Sequence, residues 1–158
     1  MRLLILAIAC IGTFPAAASE LTGSVVPPYP DGFSSDLGSC IPAGEDICAY
    51  SIAALNGPDG AVVKILAQKS IGDAGSDTIW EIVDELDAPP QPPGQFWAFE
   101  ECHLDGIIDA SVIGLAAATD MGGWLETDST VWAARFDVAS NRLMELDPER
   151  AECLLPGS

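Results

Sequence analysis

Phe96 to Ala117 reads FWAFEECHLDGIIDASVIGLAA. Its aromatic opening suits a pleated, half-buried surface and follows Pro89, Pro90, Pro92, Pro93 and Gly94, so a strand is expected to begin at Phe96. Alternation puts Phe96, Ala98, Glu100 and Cys102 on one face and Trp97, Phe99, Glu101 and His103 on the other. Both faces open apolar and end acidic, the pattern of one strand running out of a core. Leu104 to Asp109 reverses around Gly106, and Ala110 to Ala117 returns with Val112, Ile113 and Leu115. That return is nearly all apolar, which places it as a central strand covered on both faces; a buried helix is the other reading of so short a run.

Working outward, Ala49–Leu55 and Ala61–Gln68 flank Asn56-Gly57-Pro58-Asp59-Gly60, a strong hairpin signal. The turn Gly72 to Asp77 leads into a strand over Thr78–Leu86, with Trp80, Ile82, Asp84 and Leu86 on one parity. Thr119 to Ser129, TDMGGWLETDS, reads as a polar loop. Thr130–Phe136 is a strand with Trp132, Ala134 and Phe136 opposite Val131, Ala133 and Arg135, and Arg142–Leu146 pairs back onto it. Asp147-Pro148-Glu149 has the form of a helix start, with Asp as cap and Pro in the first turn. Seven close-spaced strands without a long amphipathic helix predict a mainly β, single-domain antiparallel meander. The expected form is a small sandwich or partly closed barrel, disulfide-stapled, with one short helix at most.

Residues 1–18, ending in Ala16-Ala17-Ala18, have the charged start, short apolar run and small-residue cleavage site of an export signal. An uncleaved anchor and a lipoprotein signal at Cys10 are weaker readings. Residues 19–39, rich in Pro, Ser and Gly, read as an extended leader lying on or loose from a domain over residues 40–158. The expected destination is the periplasm or the medium, with no membrane span in the mature chain. There Cys40, Cys48, Cys102 and Cys153 form an even set expected to make two disulfides. Of three connectivities, Cys40–Cys48 as a local clasp and Cys102–Cys153 as a tie for the tail are favoured. Zinc is a poor competitor, with no C-x-x-C pair and a single histidine.

The chain carries 24 acidic residues against six basic ones, and Arg2 leaves with the signal. That balance excludes nucleic acid and anionic lipid as partners, because both require clusters of Lys and Arg. It favours a basic protein, for example a basic hydrolase such as lysozyme, whose encounter opposite charge accelerates. Candidate binding residues are Glu45 and Asp46 in the cysteine clasp, and Trp124 and Glu126 in the predicted loop; a loop tryptophan can anchor a partner. The alternative is a divalent-metal site, structural or catalytic. Glu101, His103 and Asp105 alternate along one strand, and imidazole plus two carboxylates is a plausible first set of ligands. Calcium is weaker: Asp73, Ser76 and Asp77, or Asp84, Glu85 and Asp87, lack an EF-hand spacing. No G-x-S-x-G context or phosphate-binding loop is present, so catalysis is the weaker expectation, and no cofactor is called for.

Overall fold

The computed structural model describes residues 20–122 and 125–155, so the predicted signal, residues 1–18, and Trp124 lie outside the described residues. The fold is antiparallel and mainly β. Its strands are Val25–Val26 (β1), Ser34–Ala43 (β2), Asp46–Asn56 (β3), Val62–Ala74 (β4), Asp77–Asp87 (β5), Gln95–Ala98 (β6), Glu101–Leu104 (β7), Ile107–Ile108 (β8), Val112–Asp120 (β9), Leu125–Asp137 (β10), Arg142–Leu146 (β11) and Ala151–Leu154 (β12). They form three sheets, ordered β1-β5-β4-β3-β2, β11-β10-β9-β6 and β12-β7-β8. Among the described residues no sheet closes into a barrel.

The first two sheets share the main core. Ile41, Ile52 and Ile65 of one meet Ile113, Ala134 and Phe136 of the other, with Tyr50 edge-on to Phe136 and Trp97 edge-on to Trp132. The outer faces are covered too. Leu55, Leu66 and Ile82 lie under Leu21, Val26, Tyr29 and Phe33, while Val112, Ala116 and Ala133 lie under Cys102, Ala151, Cys153 and Leu155. With both faces of each main sheet buried, Ser51 to Leu55 and Val112 to Ala116 are buried throughout and need no polar alternation. Each fully buried Ile or Leu contributes about 2–3 kcal/mol of transfer free energy. Asp84 stitches the two sheets: it accepts from the Leu143 backbone N–H at 2.8 Å and lies 3.3 Å from Arg142 Nε.

The expected hairpin turn at residues 56–60 forms, with Gly57 N–H donating to Ala61 O and Gly60 at φ +81°. Both expected disulfides form, Cys40–Cys48 and Cys102–Cys153. Asp147 caps a short 3-10 turn at Pro148–Arg150 by accepting from Glu149 N–H. Among the described residues no helix is long and apolar enough to cross a membrane.

Four expectations need correction. Residues 96–102 are not one strand running out of the core. The predicted faces hold for Phe96 and Ala98 against Trp97 and Phe99, but β6 stops at Ala98 and β7 joins the third sheet. Cys102, fully buried, therefore crosses to a third layer and meets Cys153. Second, Val83 is a bulge between the pairs Ala67↔Asp84 and Gln68↔Ile82. The extra residue reverses the alternation, so Trp80 and Ile82 face the leader while Leu86 packs in the main core. Third, the ladders run further than the polar composition implied. β4–β5 pairs out to Ala74↔Asp77, and β9–β10 out to Asp120↔Leu125 across two register shifts, so Glu126 stands on a strand. Fourth, the cysteine clasp is a hairpin rather than an irregular loop, because β2 and β3 run up to Ala43 and Asp46.

Candidate functional site

The Cys40–Cys48 disulfide staples β2 to β3 just below their turn, and Gly44 takes φ +63° where a side chain would be strained. Asp46 Oδ1 accepts from Cys48 N–H at 3.0 Å, closing the turn from within. The result is a stapled, solvent-exposed tip. Glu45 and Asp46 are exposed there, and beside them Ile47 is 83 % exposed. Sequence reasoning had the two carboxylates but missed Ile47. An apolar residue in an acidic loop carries no local sign of whether it folds inward.

The proposed metal ligands are not assembled. Asp105 leaves the strand at φ +52° in the Asp105-Gly106 turn between β7 and β8. There it receives two hydrogen bonds from Arg150, at 3.0 Å from Nε and 2.6 Å from Nη2. The paired guanidinium holds the Asp105 carboxyl below the ordinary range, and its own pKa is raised in turn. Glu101 is exposed, whereas His103 is half-buried and its Nδ1 has no hydrogen-bond partner in the protein. Among the described residues no group of three His, Cys, Asp or Glu side chains is arranged to hold a metal ion.

Two hollows bear on recognition. The larger, about 650 Å³, lies between β10 and the tail and is lined by Asp105, Asp128, Glu149, Arg150 and Glu152. Its one cation is already committed to Asp105, so the hollow presents carboxylates. The second, about 270 Å³, lies between the edges of the two main sheets, with Leu37, Trp97 and Phe99 as walls and Asp36, Glu100 and Glu101 about it.

No family model, curated protein or solved structure matches the chain.

Electrostatics decide what these surfaces can meet. Lys64 lies 2.8 Å from Glu85 and 3.1 Å from Asp87, Arg135 lies 3.1 Å from Asp109, Arg142 pairs with Asp84, and Arg150 with Asp105. The remaining described cation, Lys69, stands opposite Glu81 in the β4–β5 ladder. For Lys64, burial alone would lower the pKa, but hydrogen bonds and the charges of Glu85 and Asp87 outweigh it and the pKa is raised. Four of the five described cations thus serve internal contacts. The carboxylates left over, Glu45 and Asp46 among them, set the sign of the exterior.

Proposed function

We propose that this chain is an exported interaction module whose acidic surface captures a cationic protein, with the stapled β2–β3 tip as its leading contact. The observation that carries this reading is the charge arrangement: 24 carboxylate residues against six cations, with four of those cations tied into ion pairs within the fold. Glu45 and Asp46 would meet basic groups on the partner, and Ile47 supplies an apolar anchor of the kind that contributes to hot spots. A preorganised tip loses little conformational entropy on binding. Two disulfides fit an oxidising destination, periplasmic or secreted. In its concrete form the partner is a basic hydrolase such as a lysozyme, blocked by an acidic tip entering its cleft.

The test is retention of proteins from the envelope fraction and medium on the mature, disulfide-intact chain at low and physiological salt, with lysozyme activity titrated in parallel. Capture of a basic protein that weakens as salt shortens the screening length to about 8 Å, and that falls for Glu45→Lys/Asp46→Lys, supports the reading. Retention of no basic protein at either salt would end it.

A further inference from the structure

β2 is the outer strand of the first sheet, and among the described residues no strand pairs with its other side. From Leu37 to Ile41 it runs in regular register with Ala54 to Tyr50. A register shift between Ser34 and Leu37 bounds this stretch on one side, and Pro42, which lacks an N–H, bounds it on the other. In an antiparallel edge strand alternate residues turn N–H and C=O to the open side, so this stretch offers the backbone groups of two or three residues to another strand, and an unpaired sheet edge recruits one readily. Hollows flank this stretch on both sides. Leu37 shares its parity with Ile41, which packs in the core between the sheets, and on that side lies the cavity of about 270 Å³ walled by Trp97 and Phe99, with Glu100 and Glu101. On the other side a hollow of about 210 Å³ is lined by Tyr29, Ser51, Gln68 and Trp80. The two share Asp36, Leu37 and Gly38.

We infer that β2 is a strand-addition edge: an extended basic segment of the partner pairs with Leu37–Ile41 and sends alternate side chains into the two hollows. Strand addition works in this way, with backbone hydrogen bonds giving affinity and pockets for alternate side chains giving specificity. The inter-sheet cavity takes a lysine or arginine. Trp97 and Phe99 pack on its apolar stem, and Asp36, Glu100 and Glu101 lie within reach of its charge. The opposite hollow, lined by hydroxyl, amide and aromatic groups apart from the shared Asp36, takes an uncharged side chain. A second copy of this chain is the wrong occupant, because two strongly acidic surfaces would be brought edge to edge. This inference rests on the proposed function and specifies how the partner is held.

The probe is a short blocked peptide of alternating lysine and valine, compared with the same peptide N-methylated on alternate backbone nitrogens, which keeps the charge and removes donors. Both are titrated against the mature protein by tryptophan fluorescence, and the bound region is mapped by amide hydrogen exchange. The parent peptide should bind and slow exchange within residues 37–41, and N-methylation should weaken binding about tenfold, the equivalent of one to two lost hydrogen bonds. Leu37→Lys should weaken binding by at least that factor, whereas Asp73→Asn, the same change of one charge at the far β4–β5 turn, should weaken it only slightly. Equal binding of both peptides, equal effects of the two substitutions, or protection elsewhere would overturn strand addition while leaving the acidic module intact. So would a dimer in sedimentation that Leu37→Lys dissociates. If neither peptide binds but a basic protein is still captured, strand addition fails alone; if capture fails as well, both readings fall.

Discussion

Replacing Gly114 with alanine tests the third layer directly. Gly114 lies on β9 opposite Ala98 and Ala133, in the middle of the second sheet. Its φ is not positive, so nothing in its backbone demands glycine. By the unfolded-chain argument alone, Gly→Ala at such a position should stabilise by about 0.4–1 kcal/mol. The structure reverses that sign. A Cβ at Gly114 would stand 2.5 Å from Cys153 Sγ and 2.9 Å from Cys153 Cβ, against a comfortable separation of about 3.5–4.0 Å. Something would have to move by roughly 1 Å. Cys153 is held by its bond to Cys102 and by its N–H on Thr130 Oγ1 at 2.9 Å, and β9 is held between β10 and β6. With both sides pinned, the cost should reach the upper end of overpacking, about 3 kcal/mol, or roughly 10 °C in Tm for a domain of this size. Urea unfolding followed by tryptophan fluorescence measures it. In a Cys102→Ala/Cys153→Ala background the Sγ overlap is gone and only the Cβ contact remains, so the same substitution should cost about 1 kcal/mol less. A Gly114→Ala protein as stable as the parent, or an equal penalty in both backgrounds, would mean that the tail does not pack on β9.

Removing the Cys102–Cys153 bond, which spans 51 residues, should cost about 4 kcal/mol of loop entropy, against about 2.5 kcal/mol for Cys40–Cys48, which spans eight; urea midpoints of the two double-serine variants should differ in that order. Mild reductant followed by mass-labelling should open Cys40–Cys48 first, since Cys40 is exposed whereas Cys102 and Cys153 are fully buried. Asp84→Ala should cost about 1–3 kcal/mol by orphaning the Leu143 N–H across the two sheets, and an unfolding midpoint equal to the parent's would deny that contact. The raised Lys64 pKa contributes stability that is present below 10.5 and lost as pH climbs through the folded value. Thermal unfolding should therefore show a decline above about pH 10.5 that is shallower in Lys64→Met, and parallel curves would refute the assignment.

Where neighbouring residues in the chain carry the information, the sequence is a good guide. The hairpin turn at residues 56–60, the alternation from Trp132 to Phe136 and the cap at Asp147 all depend on local chemistry and are present, whereas a bulge at Val131 turns Thr130 toward the tail. β2 was not legible beyond its leader-like composition, because SSDLGSCIPA has few apolar residues and owes its extended form to pairing with β3. Val83 illustrates a different limit: TIWEIVDEL alternates well enough to define a strand, but only the partner strand determines where an extra residue is accommodated. The same holds for the site. Glu45 and Asp46 are legible as an acidic clasp, whereas the pairing of Asp105 with Arg150, 45 residues away, carries no local signal beside the alternation of Glu101, His103 and Asp105. The cavity walled by Trp97 and Leu37 joins residues from two sheets, which no spacing rule brings together.

The layering itself constrains where a partner can bind. In most two-sheet folds an outer face is available for recognition, but here the leader covers one outer face and the third sheet covers the other. A partner cannot lie flat on either main sheet without displacing Leu21 and Val26 or the disulfide-bonded tail. What remains are sheet edges and hairpin ends. The β5 edge is capped by β1, and Leu21 N–H is bonded to Glu85 at 2.7 Å beside Lys64, which fastens the leader across that side. At the opposite side, among the described residues, no strand caps β2, which is tied across only by Ser39 Oγ donating to Ala110 O at 3.1 Å, and its far end leads into the stapled acidic tip. Strand edge and tip are thus parts of one hairpin, and the disulfide that holds the tip also fixes the register of the edge. Opening Cys40–Cys48 should therefore weaken both contacts together, while each substitution at Glu45, Asp46 or Leu37 weakens only one.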